Sequence, residues 1–426
     1  IEPLFATRFG VAPLAEIVFH LHPNLLDSDI AVSDVAIDGA PVTPAISGPS
    51  RSIMTLPLAA PLPPGATTTI DLRFRTEVAT DIGRNYGVLA VVDGILALAH
   101  FYPMLSVYDA TGWNTAEADI QGDLTYSDAG YYLVRVSAPA GVTVVASGVA
   151  VDALFPLLRG EGQAERPLTV YAVGPARDFY LAAGDFDVVS ATVGATTINS
   201  YAPAALADGA SLALKVAGEA LRINETRLSP FPYTELDIVT TPTAALGIEY
   251  PGLIVGTLRM YDLTAENQAG ISFSDILEST TAHEVMHQWF YNLIGNDQLD
   301  EPWLDESMAG YQTYRYYVDR YGQGAGDAYF GNFADRWERV ERADIPIGLP
   351  VAAYEGAEYG AIVYGRGPFF LRELEETMGR ESFDAFLRDY AAAFRWRIST
   401  TADFQRLAET QCGCDLETLF AAWVHE

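Results

Sequence analysis

His283-Glu284-Val285-Met286-His287, followed after eighteen residues by Glu306, is the stretch that decides the fold. An α-helix turns once in about 3.6 residues, so histidines four apart project from one side and their imidazoles can meet at one ion. Two neutral ring nitrogens and a carboxylate oxygen suit zinc, with a fourth position left for water. Glu306 is the candidate third ligand. Glu284, beside the first histidine, is placed to take a proton from that water. On a solvated helix face the same residues would be ordinary polar surface, so the flanking sequence has to decide.

The flanks read as helix. Ser274 or Asp275 can cap the start, and Ile276, Leu277, Val285, Met286, Phe290 and Leu293 supply an apolar side. Gly295 is the expected stop. A second helix is expected from Glu301-Pro302-Trp303, where Pro302 suits a first turn. Glu306 then falls early in that helix and faces back if the two helices form a hairpin.

Three segments, in order, resemble the aminopeptidase N family of zinc peptidases (gluzincins). His283-Glu284-x-x-His287-Gln288-Trp289 with Trp303-Leu304-Asp305-Glu306 is similar to that family's zinc-binding helices. Upstream, Gly247-Ile248-Glu249-Tyr250 resembles its Gly-x-Met-Glu-Asn strand. Downstream, Tyr364-Gly365-Arg366-Gly367 resembles its Tyr-x-Lys-Gly segment.

The resemblance implies a zinc-dependent aminopeptidase acting on peptides with a free N-terminus. One Zn2+ would sit on His283, His287 and Glu306, with Glu284 as general base. Tyr364 would donate to the developing oxyanion, and Glu249 and Gly247 would bind the substrate, Glu249 at its α-amino group. Four departures stand out. Ile248 replaces methionine, and Tyr250 replaces asparagine at the amine site. Thr313 stands where many relatives carry glutamate, and Arg366 replaces lysine with the charge kept. Many members also continue into a long helical C-terminal domain. Here the sequence ends at Glu426, soon after Leu419-Phe420-Ala421-Ala422-Trp423, so a short form with a more open site is expected.

The implied fold class is α+β. An N-terminal antiparallel β-domain of sandwich or saddle type is expected over residues 1–186, and a thermolysin-like, mostly helical catalytic domain over 187–426. Residue patterns agree with this division. Alternation in Ile70-Asp71-Leu72-Arg73-Phe74-Arg75 and Tyr132-Leu133-Val134-Arg135-Val136 reads as strand, punctuated by turns at Asp38-Gly39, Pro63-Pro64-Gly65 and Ala140-Gly141. Strands are expected at 188–193 and 236–239 and a helix over 204–228. Helix starts are expected at Thr400-x-x-Asp403 and Asp415-x-x-Thr418. Gly322-Gln323-Gly324-Ala325-Gly326 follows a helix with no strand before it, so it reads as a helix stop and loop, not a phosphate loop. His100 reads as a packed core residue, and His20 and His22 as surface residues on a strand.

The 426 residues are half hydrophobic and carry a net charge of −31, which suits a folded protein and disfavours nucleic acid and anionic lipid as partners. No apolar run approaches the roughly 20 residues that span a bilayer. The chain begins at Ile1, which reads as a processed or trimmed form, compatible with a secreted or cell-envelope protein, and no location or oligomeric state is assigned. Cys412 and Cys414 flank one glycine and are expected as small buried side chains without a bridge. Two other functions fit the sequence. One is a zinc endopeptidase or another hydrolase on the same scaffold, motivated by the altered Gly-Ile-Glu-Tyr segment. The other is a non-catalytic binding module, against which the intact ligand set and base argue.

Overall fold

The computed structural model describes residues 13–151 and 168–425, so Ile1 and Glu426 lie outside the described residues. The chain divides into two compact units, the second starting at Gln121. The boundary expected at 186 falls inside the second unit, immediately before the strand Asp187–Val193. The architecture is α+β: antiparallel strands dominate the N-terminal part and helices the C-terminal part.

In the first unit, Ala45–Ser47, Ile53–Leu62, Leu14–His20 and Met104–Leu105 form a four-stranded sheet, and Ala40–Pro41, Asp29–Ile37 and Ile70–Glu77 a three-stranded one. Ile17, Phe19, Leu21, Ile30, Val35, Met54 and Leu56 fill its core. His100 is packed in the interior as expected. His20 and His22 are not surface residues. His22 leaves the strand for a 3-10 turn, which folds its ring onto that of His20 at 5.2 Å, and both are buried.

The second unit opens with antiparallel strands, Gly130–Ser137 pairing with Leu168–Ala176 and Thr143–Ala146 with Leu181–Gly184. A five-stranded mixed sheet follows, in the spatial order Asp187–Val193, Thr196–Ala202, Glu235–Thr241, Leu253–Thr257, Gly247–Tyr250. Helix α1 (Ala207–Arg227) buries Ala210, Ala213, Ala217 and Ala220, small side chains that let it approach both the sheet and helix α2 (Phe273–Met286) closely. The antiparallel edge strand Gly247–Tyr250 is fastened to the end of α2 by Gln288. Its Nε2 donates to the Tyr250 carbonyl (3.0 Å) and its Oε1 accepts from the Gly252 amide (2.9 Å).

Helix α2 starts and stops earlier than its sequence suggests. Ser272 is the cap, accepting from the Ser274 amide, and the helix ends at Met286, with His287 as its C-terminal cap. Gly295 does not stop the helix. It pairs in a short parallel bridge with Ile398, and a side chain at this position would overlap the buried Arg177 guanidinium. Arg177 donates to the carbonyls of Ser127 (2.9 Å), Tyr291 (2.6 Å) and Arg397 (2.8 Å), which fixes this junction.

A 3-10 turn at Pro302–Leu304 leads into helix α3 (Glu306–Tyr321). Gly322 ends α3 at φ 88°, but Gln323–Glu338 is helix α4, so the glycine-rich stretch is mostly helix and not loop. One left-handed residue suffices to reverse the chain, and no loop is needed. Helix α5 (Glu358–Ala361) runs into a π-helical turn, Ile362–Arg366, and then into α6 (Gly367–Met378). Helices α7 (Arg380–Ala393), α8 (Thr401–Cys412, capped by Thr400) and α9 (Glu417–Trp423) complete the domain. Cys412 and Cys414 are bridged, contrary to expectation. The left-handed Gly413 (φ 61°) turns the chain so that the two side chains converge, with 5.2 Å between their α-carbons. No helix among the described residues is long and apolar enough to cross a membrane.

Candidate metal centre and active site

His283, His287 and Glu306 are brought together as their spacing predicts. Helix α2 supplies the histidines, and Glu306 is the first residue of α3, where its amide donates to the Asp305 carboxylate. His283 Nε2 lies 3.1 Å from His287 Nε2 and 3.1 Å from Glu306 Oε2, and His287 Nε2 is 3.4 Å from the same oxygen. Edges of this length belong to a tetrahedron whose centre lies about 1.9–2.1 Å from its corners, close to the bond lengths of about 2.0–2.1 Å that zinc takes. His287 Nδ1 donates to the Phe290 carbonyl at 3.1 Å, so that once the ring gives up its second proton to serve as a metal ligand, its lone pair lies on Nε2, facing the centre. Two imidazole nitrogens at contact distance repel unless a cation or proton lies between them. The donor set therefore fits zinc. Burial would raise the Glu306 carboxyl, but His287 and His283 outweigh it and hold it well below the usual carboxylate range.

Glu284 is buried on α2 against Gly247 of the edge strand. Its Oε2 has no hydrogen-bond partner among the described residues. Burial pushes its carboxyl well above the ordinary range, with the His287 charge pulling the other way. A buried, proton-avid oxygen beside the triad is the arrangement a general base needs.

Glu249 is also at the centre. Gln298 Nε2 donates to Glu249 Oε1 (3.0 Å) and to Asp305 Oδ2 (2.8 Å), and Gln298 Oε1 accepts from the Thr125 hydroxyl (2.7 Å). Asp123 offers an oxygen within 4.8 Å of oxygens on Glu249 and Glu306. Burial, then the neighbouring Glu306, raises the Asp123 carboxyl well above its usual range. Glu249 is raised likewise, by burial and then Asp123. Sequence reasoning found neither Asp123 nor Gln298, which lie in segments without periodic pattern. Tyr250 points away from Glu249, since strand neighbours alternate sides, and it stacks on Tyr180 at 4.2 Å.

Tyr364 stands in the π-turn, its ring 6.3 Å from that of His283 and 5.6 Å from that of Tyr359. Burial, then Glu306 and Tyr359, push its phenol well above the ordinary range, so it remains a donor at neutral pH. The turn is tightly seated. A side chain at Gly365 would crowd the α4 backbone at Phe333 and Trp337, one at Gly367 would overlap Ser307, and the Ser307 hydroxyl donates to the Val363 carbonyl at 2.6 Å. Arg366 is not at the centre. It pairs with Asp344, donates to the carbonyls of Ile345, Ala422 and Trp423, and lies 4.5 Å from the Trp423 ring. Thr313 donates to the Ala309 carbonyl of its own helix, turned back from the ligands.

Residues 212–423 match the peptidase family M1 domain. Aminopeptidase M1-B of Oryza sativa subsp. japonica is 24% identical over 274 residues, which are 60% of this chain and 30% of the relative. Probable aminopeptidase 1 of Sulfurisphaera tokodaii is 25% identical over 252 residues, 58% and 32% of the two chains. The matched part thus spans about a third of the length of these relatives. The crystal structure of an M1 zinc metallopeptidase from Deinococcus radiodurans shares the fold, with a TM-score of 0.71 at 21% identity, over 97% of this chain and 86% of that one. Residues 212–423 thus carry a peptidase family M1 domain.

Proposed function

We propose that this protein is a zinc-dependent aminopeptidase that removes the N-terminal residue of peptides. The observation that carries this is the convergence of two imidazole nitrogens and one carboxylate oxygen at tetrahedral spacing, beside the unpartnered Glu284 oxygen. His283, His287 and Glu306 hold the ion. Zinc, when bound, acidifies water and polarises a carbonyl. Glu284 takes the proton of the attacking water and passes it to the leaving amine. Tyr364 donates a hydrogen bond to the carbonyl oxygen as it gains charge.

Exo-cleavage follows from the acidic cluster. Asp123, raised by burial and Glu306, and Glu249, raised by burial and Asp123, are relieved by an incoming ammonium, which a free N-terminus supplies. Because Tyr250 faces the other side of its strand, its replacement of asparagine leaves that anchor in place. Hydrolysis of aminoacyl anilides by wild type and by Glu284→Gln, with and without chelator, tests the proposal. Equal rates for the two proteins would end it. Acetylation of the substrate's N-terminus tests the amine anchor, because cleavage that survives it belongs to an endopeptidase.

A further inference from the structure

Arg336 lies on α4, half-buried, with Cζ 5.6 Å from the Tyr364 ring centroid, and the Tyr364 ring is 6.3 Å from that of His283. Its guanidinium has no hydrogen bond or ion pair among the described residues. Several exposed arginines of the domain are also unpaired, but those packed among its helices are neutralised: Arg227 by Asp319, Arg315 by Asp384, Arg320 by Glu219, Arg366 by Asp344 and Arg372 by Asp327. In a chain with 56 acidic residues against 25 basic ones, a guanidinium left without an acid beside an acid-lined centre is available for an anion from outside.

Its placement selects which anion. Glu249 has an oxygen within 4.8 Å of a His287 ring nitrogen, whereas Arg336 lies against Tyr364, whose ring neighbours His283, so a negative pole stands by one ligand histidine and a positive pole beyond the other. A short peptide carries the complementary pair, an ammonium at one end and a carboxylate at the other. An extended chain advances about 3.5 Å per residue, a scale comparable with the 6.3 Å and 5.6 Å steps from the His283 ring through that of Tyr364 to the guanidinium. We infer that Arg336 binds the C-terminal carboxylate of di- and tripeptides whose amine is held by Asp123 and Glu249, making the site selective for short peptides with a free C-terminus. This rests on the aminopeptidase reading above. The net charge of −31 repels a carboxylate in bulk, so a preference for the free acid has to come from a local cation.

The test compares leucyl-alanyl-alanine with its C-terminal amide. The expected result is a kcat/KM about tenfold or more higher for the free acid in wild type, falling to a ratio near one in Arg336→Gln and partly kept in Arg336→Lys. A ratio near one in wild type overturns the inference. So does an unchanged ratio in Arg336→Gln, including the case where both substrates slow alike because the guanidinium only steadies the Tyr364 ring. Calorimetric binding of the same peptides to Glu284→Gln reads the contact without turnover. Preferential binding of the acid, lost in the Arg336→Gln double variant, upholds the inference even if wild type hydrolyses neither peptide, and in that case only the peptidase reading fails.

Discussion

Gly247 lies directly against Glu284: a β-carbon on the glycine would overlap the carboxylate and the γ-carbon behind it. The edge strand and helix α2 therefore meet at the proposed base itself. Gly247→Ala is expected to push the Glu284 side chain to another rotamer and lower kcat by about 100-fold, since a displacement near 1 Å is enough for that. Steady-state kinetics beside a melting curve would check it. Loss of activity only in step with loss of fold would contradict it.

The triad should bind zinc before any substrate does. Zinc that binds the folded chain alone stabilises it by about 4 kcal/mol at a thousandfold excess over Kd, which raises Tm by roughly 10 °C in a domain of this kind. Calorimetry with chelator and after zinc is restored would show the difference. His287→Ala should melt at one temperature in both conditions.

Asp237 gives the fold a pH dependence of its own. It is buried in the five-stranded sheet, with Asn199 Nδ2 donating to Oδ1 at 2.9 Å. Burial, partly offset by that bond, pushes its carboxyl up to about 8. The folded chain therefore keeps a proton that the unfolded chain releases near pH 4. The contribution is fully present below pH ~4, is lost as pH climbs to about 8, and changes no further above it. Asp237→Asn should flatten that decline and raise stability at pH 8 by up to about 5 kcal/mol. Urea unfolding at pH 5 and pH 8 measures it, and equal slopes in the two proteins would refute the assignment.

Arg366→Lys keeps the charge but not the planar fork that spans Asp344 and the carbonyls of Ile345, Ala422 and Trp423. A loss of about 2–3 kcal/mol is expected, read as a lower Tm. An unchanged Tm would show that α9 is held by its apolar contacts alone.

The proposed ligand triad was legible in the sequence because it depends on helix period and one short connection, both local. Glu249 and Tyr364 were legible only through resemblance, since nothing near them in the chain marks a site. Asp123, Gln298 and Arg336 were not legible at all. Asp123 and Gln298 sit in segments outside helices and strands, and Arg336 arrives by the α3–α4 reversal at Gly322. The cysteine bridge was missed for a similar reason, because it depends on one left-handed glycine. Tertiary placement of non-periodic segments leaves no local trace.

The Ile362–Arg366 turn holds one residue more than an ordinary helical turn would. Deleting a single residue from it would let α5 run into α6 as one continuous rod and swing Tyr364 by about 100° around the axis. The length of this segment is thus as much a determinant of chemistry as its composition, and drift by insertion or deletion is closed to it even where substitution is not.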